Sequence, residues 1–287
     1  MSSSEIFELE AASLQGVIAT RYLSVAGLVV LLWDHCLTFE QERQVIWPSR
    51  AKFVKWTLLC NRYVVAVVQI INAHALSGIS SWGLSNRTSC QVWWMIVACS
   101  AILSIVVCHG ILVLKLWKLW DAQRGIMLFT VAVFAVTETG SLIAAAITAF
   151  EMWPNAFFRT ALNSCALNNR PPALKVVWTC MVVFDLFVFA MVLLNGLSRP
   201  RGSDVYLLKT LFRDGIYFFF VFSVLGWMNL VVSIVAPAST SELGIFCIWA
   251  LSVTIVTRMM INIREVELKR SLISDMYDSD SDSDIIS

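Results

Sequence analysis

Charge is what this sequence has least of. Only 14% of its 287 residues are Asp, Glu, Lys or Arg, against about 25% in a soluble domain, and that scarcity excludes an ordinary soluble enzyme. The 21 basic and 20 acidic residues leave a net charge of +1, so the concentrated basic surface that a nucleic-acid partner requires is missing as well. The eight cysteines include no CxxC pair, and His35, His74 and His109 never stand at i, i+4 spacing. Without a zinc-ligand pattern a metal-dependent hydrolase is disfavoured, and neither metal nor cofactor is expected. No Lys or Arg precedes the first apolar run, where Glu5, Glu8 and Glu10 stand instead. That is the wrong charge for the start of a cleaved signal peptide, and the first span is expected to remain as an anchor.

What the sequence does have is apolar length. Hydrophobic residues make up 58% of it, and seven apolar segments can be read at about 17–38, 53–76, 91–117, 125–150, 174–197, 215–236 and 244–263. About 20 residues at 1.5 Å rise cross the hydrocarbon core, and Gly, Ser and Thr are scattered through these runs where helices can approach. The expected fold is all-α, a polytopic seven-transmembrane-helix bundle in the lipid bilayer. It divides into an N-terminal tail (1–16), the bundle (17–263) and a C-terminal tail (264–287).

Orientation follows from the positive-inside rule. With the N-terminus outside, 14 of the 21 basic residues fall in cytoplasmic segments and four (Arg87, Arg159, Arg170, Lys175) in outer ones. The N-terminus is therefore expected outside and the C-terminus inside. Two other features agree with this orientation. The sequon Asn86-Arg87-Thr88 falls in an outer loop as a glycosylation candidate. Cys90 at the outer mouth of span three and Cys165 in the outer loop 151–173 are a disulfide candidate in the oxidising compartment. The tail from Ser271 alternates Ser and Asp and cannot repay its ordering entropy by burial, so disorder is expected there. Ser279 and Ser281, each with an Asp three residues later, are phosphorylation candidates.

Ionisable groups at bilayer depth cost from about 2.5 kcal/mol upward and need a partner or a wet cavity. Asp34 near the inner end of span one leans outward while Arg62 in the antiparallel span two leans inward, so the two are expected to pair. Glu138 in span four and Asp185 in span five lie near the midplane, out of reach of either surface. They are ligand or ion candidates, with hydrogen bonding of a neutral carboxyl to a neighbouring helix as the structural alternative. Asp214, Arg258 and Asn262 lie at similar depth to Arg62 and are expected to complete an inner polar network, structural or switch-like.

Tyr22, Asp34, Thr38, Glu42, Ile46, Trp47 and Asn61-Arg62-Tyr63 resemble the N-terminal domain of unknown function in a large family of multi-span proteins of mushroom-forming fungi. The later Arg213-Asp214-Gly215 and the 258–264 stretch are similar to that family too, and the likeness is strongest over 21–63. The inner end of span three departs from the pattern, with Lys115-Leu116-Trp117-Lys118-Leu119-Trp120 in place of an Arg-x-Tyr-Ala-Leu-Tyr run. The resemblance implies a fungal seven-helix membrane protein and no known activity.

The function expected from these features is that of a receptor-like sensing or signalling protein of the plasma membrane, not an enzyme. Its partners would be a small ligand and a cytoplasmic signalling protein. Span three lacks an Asp/Glu-Arg-Tyr triplet and span seven lacks both Asn-Pro-x-x-Tyr and a Schiff-base lysine, which disfavours a retinal protein. The alternative is an ion- or proton-coupled transporter or channel using Glu138 and Asp185, although no internal repeat or broken span points to one.

Overall fold

The computed structural model describes residues 3–49, 51–77, 86–120, 123–160, 163–167, 171–198, 205–235 and 244–286; for 3–14, 159, 164, 166, 198, 205–216, 218 and 270–286 the description is of the backbone alone. Seven helices follow one another: α1 (Ser3–Val45), α2 (Lys52–Ser77), α3 (Arg87–Leu119), α4 (Arg124–Asn155), α5 (Leu174–Ser198), α6 (Val205–Val235) and α7 (Ile245–Ile286). Proline punctuates them as its missing N–H requires. α1, α5 and α6 stop two or three residues before Pro48, Pro200 and Pro237, and Pro154 sits in the last turn of α4.

Six of the helices are long and apolar enough to cross a membrane, and α6 carries a shorter described apolar stretch, Phe219–Val235. Large side chains such as Phe53, Phe150, Val136 and Leu197 stand exposed around the bundle, as lipid-facing positions do. Up-and-down connection puts the C-termini of α1, α3 and α5 at one end with the N-termini of α2, α4 and α6. Of those six, α7 is the most enclosed and α4 the least. Gly27 lets α1 lie directly on α7, because a Cβ there would come within 2.7 Å of the Cys247 backbone.

Two features differ from expectation. The segment 151–173, expected as a long outer loop, holds a hairpin among its described residues, in which β1 (Ala156–Arg159) and β2 (Ser164–Leu167) pair antiparallel with Phe158 opposite Cys165. Asn163 takes the left-handed φ of 45° that its turn needs. In addition, of the segments 1–16 and 264–287, set apart by composition as tails and the second expected disordered, the described residues 3–16 and 264–286 continue the terminal helices, with α1 starting at Ser3 and α7 reaching Ile286. Propagation from an existing helix adds one hydrogen bond per residue without a new nucleus. The exit of α7 is further held by Arg264–Glu267 and Glu265–Lys269 pairs and by Lys118 of α3 reaching Glu267, each at 2.8 Å.

The hairpin is fixed from below. Cys90, at the start of α3, is disulfide-bonded to Cys165 of β2, with their Cα atoms 5.4 Å apart. Arg87 donates to the Pro154 carbonyl at 2.5 Å and Gln91 to the Trp153 carbonyl at 2.7 Å, which satisfies acceptors that the end of α4 leaves without helical partners. Asn86 is the exposed N-cap of α3, its Oδ1 accepting from the Ser89 N–H at 2.8 Å.

Candidate functional site

Two buried polar clusters occupy the bundle. The first joins α1, α2 and α7 towards the end opposite the hairpin. Asp34, Thr38 and Glu42 recur every fourth residue and so share one face of α1. Arg62 of α2 enters this face and is only 1% exposed. Its Nη2 donates to Thr38 Oγ1 at 2.5 Å and stands 3.7 Å from Asp34 Oδ2; its Nη1 lies 3.2 Å from Glu42 Oε2, and its Nε donates to His35 Nε2 at 3.2 Å. Glu42 Oε1 accepts from the Tyr63 hydroxyl at 2.9 Å and from Trp47 Nε1 at 3.2 Å. From α7, the Arg258 Nε–H donates to Asp34 Oδ1. Two guanidinium groups therefore face two carboxylates, and the charges balance.

Asp34, Arg62 and Arg258 come together, but Asn262 is half-buried and takes no part in the cluster's hydrogen bonds among the described residues, and the Asp214 side chain lies outside them. The partner that sequence reasoning missed as a network member is Glu42. Its signal was the four-residue spacing from Thr38 and Asp34.

The second cluster lies in the middle of the bundle. His109 of α3 is enclosed, 1% exposed, and stands between the two carboxylates singled out from the sequence. Its Nδ1 meets Glu138 Oε1 of α4 at 2.5 Å, and its Nε2 faces Asp185 Oδ1 of α5 at 3.3 Å. The first contact is a hydrogen bond. The second is an ion-pair contact without hydrogen-bond alignment, so Asp185 Oδ1 has no hydrogen-bond partner among the described residues, nor has Glu138 Oε2. Phe184 and Phe222 pack against the imidazole with ring centroids 4.7 and 6.0 Å away. α6 presses close on the other side, where a Cβ on Gly226 would come within 2.9 Å of Asp185 Oδ2. His109 was not picked out as a partner because its position in the sequence gives no hint of the two helices it meets.

The second cluster opens onto a cavity of about 130 Å³ bounded by α3 to α7 and by Leu167 of β2. The cavity starts beneath the hairpin, near Leu174 and Ile245, and its deepest lining residues on α3 and α5 are His109 and Asp185. Its walls are apolar and aromatic, with Trp94, Trp178 and Trp249 prominent, and among its described lining side chains only His109 and Asp185 are titratable. Towards the opposite end, the next contact is Asn61 Nδ2 donating to Cys108 Sγ at 3.7 Å. Each of these residues adjoins a member of one cluster, Arg62 and His109 respectively.

Among the described residues no group of three or more His, Cys, Asp or Glu side chains could hold a metal ion. Chemically, an imidazole between two carboxylates can store and pass protons, hold a partner's cation, or tie three helices together. Ser279 and Ser281 have side chains outside the described residues.

Compared with known proteins, residues 22–67 match a family of unknown function, DUF6533. That segment contains every described member of the first cluster except Arg258, and it contains no member of the second. No curated protein matches the chain.

Proposed function

We propose that this membrane protein is a receptor-like sensor of a small molecule, which it takes into the cavity between α3 and α7 from the hairpin end. The observation that carries this reading is the cavity itself. It is partly open and aromatic, walled by five helices, with a few convergent polar groups at its base, as small-molecule sites typically are. A volume of about 130 Å³ is close to the roughly 150 Å³ that accommodates a benzene ring.

In this reading the hairpin end faces outside. Fourteen of the basic residues cluster in the segments at the opposite end, the Cys90–Cys165 bridge belongs in an oxidising compartment, and Asn86 is exposed beside it as a glycosylation acceptor. The C-terminal helix then reaches into the cytoplasm, where Ser279 and Ser281 offer phosphorylation sites to a signalling partner, and the plasma membrane is the fitting location. Glycosidase treatment of the protein from a eukaryotic host, with Asn86→Gln as control, tests the orientation. The sensor reading is tested by screening small molecules for thermal stabilisation of the protein in nanodiscs. Ala145→Phe, which fills the cavity from α4, should abolish any stabilisation found, and stabilisation that survives this change would place the ligand elsewhere.

One observation favours a second reading, proton- or ion-coupled transport through Glu138 and Asp185. His109 joins the two carboxylates into a path along which a proton could pass. The cavity approaches that path from one end only, which weighs against it. Proton flux into vesicles, lost in both Glu138→Gln and Asp185→Asn, would decide for transport.

A further inference from the structure

We infer that the cavity takes a small organic cation, a protonated amine carried on one aromatic ring or a body of similar size, with its ammonium group on Asp185. This rests on the sensor reading above and adds the chemical class of the ligand.

The first argument is charge. Around His109 the described ionisable groups are Glu138 and Asp185, and the largest positive charge the imidazole can contribute is one. With both carboxylates ionised the cluster is one positive charge short, in a place where an uncompensated charge is costly. Among the described residues no Lys or Arg lines the cavity to supply it. Lys115, on the same helix, turns instead to the Phe219 ring, with Nζ 4.8 Å from its centroid. A ligand cation entering along the cavity reaches Asp185 first, because Asp185 lines it and Glu138 does not.

The second argument is the inventory of unpaired polar atoms. Asp185 is 5% exposed and Asn229 3%. Both line the cavity, as do Trp94 and Trp249, and four of their buried atoms lack a hydrogen-bond partner among the described residues: the acceptor Asp185 Oδ1, which has the ion-pair contact with His109, and the donors Asn229 Nδ2, Trp94 Nε1 and Trp249 Nε1. Gly226, which touches the Asp185 carboxylate, lies one helical turn before Asn229 on α6, so the acceptor and the Asn229 donor are on neighbouring turns. An ammonium group satisfies the acceptor and a hydroxyl or ether oxygen on the same ligand the Asn229 donor. A purely apolar ligand would leave all four atoms buried and without hydrogen bonds, and an anionic one would face Asp185.

The third argument is the wall. Trp94, Trp178, Trp249 and Phe222 line the cavity, and an ammonium group is drawn to the faces of such rings, Trp most of all.

The test measures binding of three isosteric probes, 2-phenylethylammonium, 2-phenylethanol and phenylacetate, to the full chain in zwitterionic nanodiscs by calorimetry. The ammonium probe should bind at least about tenfold more tightly than the alcohol, and phenylacetate should not bind. Asp185→Asn should erase the preference for the cation while the alcohol still binds. Should that variant fail to fold, Gly226→Ala serves, since its methyl group displaces the carboxylate without changing its charge and should weaken the ammonium probe more than the alcohol. If the alcohol binds as tightly as the ammonium, or if Asp185→Asn and Gly226→Ala both leave the preference intact, the cationic class is wrong and the cavity remains a ligand site. If none of the three binds at millimolar concentration, the cationic class and the sensor reading both fail.

Discussion

The two buried clusters differ in how their charged groups balance. Around Arg62, two guanidinium groups meet two carboxylates, Thr38 Oγ1 accepts from Arg62, and the Tyr63 hydroxyl and Trp47 indole donate to Glu42, while Glu42 Oε2 and Arg62 Nη1 meet as an ion pair without a hydrogen bond. Around His109, one imidazole meets two carboxylates, and Asp185 Oδ1 and Glu138 Oε2 are left without hydrogen bonds. The first cluster fills the space between three helices, and the second forms the base of a cavity. A buried ion network that is balanced has little left to give to a ligand, and its work is to fix helix positions. One with an unfilled valence next to a cavity keeps its binding energy for something that enters. The folding core and the recognition site can thus be told apart here by charge accounting.

The largest effect should come from breaking the balanced cluster. Arg62→Met leaves Asp34 and Glu42 buried with only Arg258 to oppose them, and should cost about 3–5 kcal/mol of stability, read as loss of folded protein or a large fall in Tm in nanodiscs. Combining it with Glu42→Gln should restore part of the loss, because one unpaired charge is then gone. A smaller loss is expected when the cavity's roof is released. Cys165→Ser frees β2 from α3 across a sequence separation of 75 residues, and should cost about 2–4 kcal/mol while leaving the Arg62 cluster intact. Reduction of the wild type should lower Tm by a similar amount and leave the variant unchanged. Next comes Glu42→Gln alone, at about 1–3 kcal/mol. The amide oxygen still accepts from Tyr63 and Trp47, but its ion pair with Arg62 is lost.

How much of this could be read beforehand depended on whether the signal was local. Apolar length located seven helices, and the lean of helical side chains brought Asp34 of α1 to Arg62 of α2, since both facts follow from position along a single span. Glu138 and Asp185 stood out because any carboxylate at that depth needs an explanation. Their shared partner did not, because His109 lies on a third helix and only the packing of α3 against α4 and α5 brings it between them. Glu42 was overlooked as a network member for a different reason: near the end of a span a charged residue passes for a solvated rim residue, yet Glu42 is 1% exposed beneath Tyr63 and Trp47. The hairpin 156–167 was too short for its alternation to register, and the helical extension of α7 followed from propagation and ion pairs that overrode composition.

The smallest effect is the one that separates the two clusters most sharply. Removing a carboxylate from a balanced buried network is destabilising, because its cation is left unpaired. Asp185→Asn should behave differently, because the cluster around His109 carries one carboxylate more than its imidazole can neutralise. With both carboxylates ionised the substitution removes the surplus charge, and with Asp185 protonated it exchanges one neutral group for another; in either case Glu138 remains bonded to Nδ1, and the amide is close in volume to the carboxyl it replaces. Stability without ligand should therefore change by less than about 1 kcal/mol, and a slight gain would agree with the surplus being a burden in the unliganded protein. Thermal unfolding of Asp185→Asn beside Glu42→Gln, both in nanodiscs, makes the comparison on one scale. If Asp185→Asn proved as costly as Glu42→Gln, Asp185 would be held by a partner as firmly as Glu42 is, and charge accounting would not distinguish the recognition site from the folding core.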